Sequence, residues 1–87
     1  MPYLTLKNTT VENTANGCES KIIFEDHGNN ALGQIEVFHT GTADYEKGSM
    51  LLSVNDDSGL QTHITVDGGN QNTRVHKDLY ILDDVKL

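Results

Sequence analysis

The chain has almost no proline (1), one cysteine, no tryptophan and only 6% aromatic residues among its 87 positions. A single thiol, Cys18, allows neither an internal disulfide nor a cysteine-based zinc site. Alanine is scarce as well, at 3 residues, while Thr, Asn, Asp and Gly together supply 33. That mixture disfavours helix and favours strands joined by tight turns, which excludes a helical bundle. Hydrophobic residues reach only 36%, little for a chain that must build a core alone. Oligomerisation is the remaining common source of stability for so small and polar a chain.

Positive charge is equally sparse. Six cations face 13 acidic residues, giving a net charge of −7. Lys7, Lys21, Lys47, Arg74, Lys77 and Lys86 are scattered singly, so no basic patch offsets the repulsion of a phosphate backbone, and nucleic-acid binding is not expected. No apolar run exceeds a few residues, so none is of a length to insert in a membrane as a helix. Met1–Lys7 lacks the charged start and apolar stretch of a secretory signal.

What is present is period-two alternation punctuated by Gly, Asn and Asp. Strands are expected over Tyr3–Thr10, Glu19–Asp26, Leu32–Thr40, Ser49–Asn55 and Leu60–Val66, with Val75, Leu79 and Ile81 at strand spacing in the final segment. Asn16-Gly17, 27–30, 56–59 and 67–72 read as turns, and 41–48 as a glycine-bracketed surface loop. Six or seven antiparallel strands in a meander, or in an intertwined β-prism or sandwich, is the expected fold, one β domain over 1–87 with 73–87 as a docking or capping tail. The alternation places Ile22 and Phe24 on one face, then Ile35 and Val37, Leu52 and Val54, and Ile64 and Val66 with Leu60. These apolar stripes are too thin for a two-sheet core, so Ile22, Phe24, Ile35, Val37, Leu52, Val54, Ile64 and Val66 are expected to form a core shared between chains.

Three acidic pairs (Glu25-Asp26, Asp56-Asp57, Asp83-Asp84) invite a catalytic reading. Neighbours on a strand point to opposite faces and turn aspartates serve local hydrogen bonds, so solvated turn acids explain them better. The four histidines, His27, His39, His63 and His76, form no H-x-H or HExxH spacing. Cys18 has no base oriented toward it in any legible motif and reads as a packed or surface thiol. Asp67, Asn70 and Asn72 offer oxygen ligands around Gly68-Gly69, a candidate calcium turn that matches no EF-hand loop. Tyr45, in the polar loop, and Phe38, sharing a face with Gln34 and Glu36, are the candidate ligand-stacking aromatics. No cofactor is expected.

The order of segments from Lys21 to Leu60 carries a resemblance. Ile22, Phe24, Glu25 and Asp26 are followed by Ala31 to Ile35. Gly41, Thr42, Asp44, Lys47 and Gly48 come next, then Leu51, Ser53, Asn55 and Asp56. This succession, led in by Leu4 to Thr10, resembles a recurrent β-structured module of tailed-bacteriophage fibre and spike proteins, common in marine and cyanobacterial phages. It covers roughly residues 3–70, and the family module sits within chains of several hundred residues. The resemblance implies a virion location, extracellular after release, and a non-enzymatic structural role in host attachment. It also implies a homotrimer, with other virion tail or fibre proteins and a host surface glycan as partners. Two other classes compete. One is a monomeric carbohydrate-binding β-sandwich with calcium in a turn, and the other is a small glycan hydrolase, for which no nucleophile and base are legible.

Overall fold

The computed structural model describes residues 1–11, 16–40 and 46–83. Five strands form one antiparallel sheet in sequence order: β1 (Ser20–Glu25), β2 (Ala31–His39), β3 (Gly48–Asn55), β4 (Leu60–Asp67) and β5 (Asn72–Val75). No helix occurs among the described residues. The protein is therefore all-β, a meander in which each strand pairs with its sequence neighbour.

Turn chemistry sets these boundaries. Asp26 accepts from the backbone N–H of Gly28 at 2.8 Å and of Asn30 at 3.0 Å, closing the β1–β2 turn, with Asn29 at φ 63°. Asn55 and Asp56 do the same between β3 and β4, accepting from the N–H of Asp57 (2.8 Å) and Ser58 (3.0 Å). Asp67 caps the β4–β5 turn through the N–H of Gly69 at 2.8 Å. Short polar side chains that mimic backbone turns are what Asp and Asn supply in these positions. Gly68 passes so close to the Gly48 carbonyl that a β-carbon would collide with it, while its N–H donates to that same oxygen at 2.9 Å. Here the glycine is required by the close approach of two backbones.

Two β-bulges modify the register. Phe24 pairs with Gly33 but Glu25 with Ala31, leaving Leu32 extra in β2; Leu52 pairs with Ile64 but Ser53 with Thr62, leaving His63 extra in β4. An extra residue inverts the alternation beyond it. Leu60, expected beside Ile64 and Val66, consequently pairs with Asn55 on the opposite face, and Gln61 takes the apolar side across from Val54.

Other expectations are corrected too. Tyr3–Thr10 is extended but belongs to no strand; it is tied to the sheet through Asn8, whose side-chain amide donates to the Glu19 carbonyl at 2.9 Å. In the final segment Val75 ends β5, whereas Leu79 and Ile81 lie outside any strand, so the sheet has five strands rather than six or seven. Asn16-Gly17 continues toward β1 instead of closing a hairpin. Asn16 N–H donates to the His39 carbonyl (3.1 Å) and His39 N–H to the Gly17 carbonyl (2.9 Å), with Asn16 and Cys18 at φ 63° and 50°.

No hydrophobic side chain is buried among the described residues; the buried side chains are Ser49 and Ser53, in the central strand. The Cα radius of gyration is 15.3 Å, above the roughly 12 Å of a compact chain of this length.

Candidate functional site

The pairing register gathers the apolar residues onto one face. Ile22 stands opposite Ile35, Ile35 opposite Leu52 and Leu52 opposite Ile64, an unbroken row across four strands that Val75 extends to the fifth. A second row runs Val37, Met50, Val66 and Thr73. Phe24 and Val54 lie toward the other end, separated by Gly33. All eight residues expected in a shared core occupy this face. Met50 and Val75 belong to it as well and were missed in that set, Val75 because it reads as tail. No Asp, Glu, Lys or Arg falls in register on this side of the sheet.

The face is half open to solvent. Phe24 is 55% and Val54 53% exposed, while Ile35, Leu52 and Ile64, in the middle of the row, are partly covered by their neighbours. Near β1 the N-terminal arm approaches it, forming a cleft of about 430 Å³ whose wall includes Leu6, Cys18, Ile22, Ile35 and Val37. Soluble proteins seldom leave a contiguous apolar surface of this kind uncovered, and such surfaces mark sites of association.

The opposite face is polar and internally bonded. Lys21 pairs with Glu19 at 2.6 Å and with Glu36 at 3.3 Å. Ser53 and Thr62 hydroxyls meet at 3.5 Å, Thr40 and Ser49 hydroxyls are hydrogen-bonded, and Thr65 Oγ1 lies 2.6 Å from His76 Nε2. Phe38 is on this face, half-buried and paired across from Ser49, not in the apolar rows. Tyr45 and Asp44 lie outside the described residues.

The candidate calcium turn is built around Asp67. One carboxylate oxygen accepts from Gly69 and Asn70 N–H and the other from the Asn70 side-chain amide at 3.0 Å. Asn72 faces Asp67 as its strand partner. The Asn70 amide, then the Gly69 and Asn70 N–H groups, and the charge of Arg74 together hold the Asp67 carboxyl below its ordinary pKa. These oxygens are engaged by turn donors, and no group of three or more His, Cys, Asp or Glu with metal-binding geometry occurs among the described residues.

The β1–β2 and β3–β4 turns meet at one pole, where a cleft of about 430 Å³ is lined by Asp26, Asn30, Asn55 and Asp57. Hydrogen bonds from the Asn30 backbone and side chain, and from Gly28, lower the Asp26 pKa; the Ser58 hydroxyl and N–H do so for Asp56. Both carboxylates are thus committed to their own turns. In comparisons with known proteins, no family model, curated protein or solved structure matches the chain.

Proposed function

We propose that this chain is a non-enzymatic virion structural protein, a piece of a phage tail fibre, spike or appendage that supports host attachment as a homotrimer. The single observation that carries the assembly part of this reading is the uncovered apolar face, free of formal charge and lined by Ile22, Phe24, Ile35, Val37, Leu52, Val54, Ile64 and Val66. The virion assignment rests on the ordered resemblance between Lys21 and Leu60 to phage fibre modules. Three sheets that turn their apolar faces to a common axis acquire the core that one sheet lacks, and leave the Lys21–Glu36 face in water. Held at fixed spacing, three weak contact surfaces bind a host glycan with an avidity above that of one.

A monomeric carbohydrate-binding sandwich needs a second layer over the apolar face, and the described residues supply one sheet. Light scattering after size exclusion tests the assembly: a mass three times the 9.6 kDa chain is expected, and a folded monomer overturns it. Antibody labelling of phage particles tests the location, with label on the tail expected and its absence from virions contradicting the assignment.

A further inference from the structure

We propose that the open edge of β1 receives segment 79–82 of a second copy of this chain as an added strand. The inference deepens the oligomeric reading above and rests on it. β1 ends the sheet: Ile22 and Phe24 point to the apolar face, and Ile23, 51% exposed, lies on the other between Lys21 and Glu25. An edge of this composition, with unpaired backbone N–H and C=O groups, is a template for another strand. The arm residues Leu6, Lys7 and Asn8 share a cleft with Ser20, Lys21 and Ile22 in the first half of the strand, while Ile23 and Phe24 are 51% and 55% exposed.

The matching segment is Leu79, Tyr80, Ile81 and Leu82. It belongs to no strand, and Tyr80 and Leu82 are 84% and 85% exposed. Placed in a sheet, two of these side chains would extend the apolar face beside Ile22 and Phe24, and the other two would lie beside Ile23 on the opposite one. The edge of β5 is a poorer acceptor, being four residues long and bearing Arg74.

The donor must be another molecule. β5 and β1 are opposite edges of a five-stranded sheet, so the position outside β1 lies five strand spacings, about 24 Å, from β5. Leu79 is four residues past Val75 and reaches at most about 14 Å. A tail that cannot return to its own first strand but suits it chemically fits exchange between copies, head to tail, in a closed ring.

The test uses full-length chains. Cys18→Ser proteins carrying either Ile23→Cys or Tyr80→Cys are refolded together and treated with a short bismaleimide, alongside each variant alone. A covalent product joining the two variants within an assembly of wild-type mass is the expected result. An assembly without that product overturns the tail placement and spares the oligomer; a wild-type monomer overturns both. Should the cysteine variants not fold, Ile81→Pro removes the strand donor N–H. A shift of assembly to higher protein concentration, with the wild-type mass and circular dichroism regained when the variant is concentrated, is then expected, and an unchanged concentration dependence contradicts the proposal.

Discussion

Lys21 and Glu36 face each other directly across β1 and β2, with the ammonium 3.3 Å from one carboxylate oxygen and 2.6 Å from Glu19. One cation therefore serves two carboxylates on the sheet's polar side. The pair is partly in water, so Lys21→Met should lower stability by no more than about 1 kcal/mol. Because screening weakens such contacts, the difference between wild type and variant should shrink in molar salt, which thermal melting at two ionic strengths would register.

Leu52 is the centre of the apolar row, opposite Ile35 on one side and Ile64 on the other. If the face is covered by other copies, Leu52→Ala should cost about 2–5 kcal/mol per chain, as in a filled core. On a bare sheet the same change should cost well under about 1 kcal/mol, the usual range for surface positions. Thr65→Ala on the polar face is the control, and chemical denaturation measures both.

Gly68 has no room for a side chain, because a β-carbon would meet the Gly48 carbonyl oxygen. Gly68→Ala must push β3 and the β4–β5 turn apart, and should lower stability by about 1–3 kcal/mol. A melting temperature equal to wild type would show that the two backbones do not approach this closely.

Asp26, Asp56 and Asp67 each cap a turn and each has a pKa lowered from the ordinary 3.8. The folded chain releases these protons more readily than the unfolded one, so the unfolded state binds more protons and stability rises with pH in this window. The contribution is complete above the ordinary value and is lost as pH falls through the lowered ones. An acid titration of the melting temperature should decline below about pH 4, and Asp→Asn at all three positions should flatten that decline.

The alternation that defines β1 to β4 was legible because a half-buried strand must place apolar side chains at every second residue. Ile22, Ile35, Leu52 and Ile64 were assigned to one side correctly for that reason. Leu60 was not, since the bulge at His63 depends on how β3 and β4 align and leaves no mark in composition. Tyr3–Thr10 shows why alternation alone is insufficient: Leu4 and Leu6 have strand spacing, but a strand exists only when a neighbour accepts its hydrogen bonds. Asn72–Val75 is the converse, a segment with little pattern that pairs with β4 through Ile64–Asp67. The turns are readable at Asp56 and Asp67, whose carboxylates bond locally, whereas Asp26, expected to end a strand, caps the turn after β1, and the Asn8–Glu19 tether joins residues whose proximity only the folded chain reveals.

A described sheet with no buried hydrophobic side chain has a consequence for how the molecule responds to dilution. If most of its apolar burial comes from neighbours, folding and association share one equilibrium, and the midpoint of unfolding moves with the logarithm of protein concentration. Lowering the concentration then acts as a denaturant does, and the smallest folding unit is defined by stoichiometry rather than by the ends of a polypeptide.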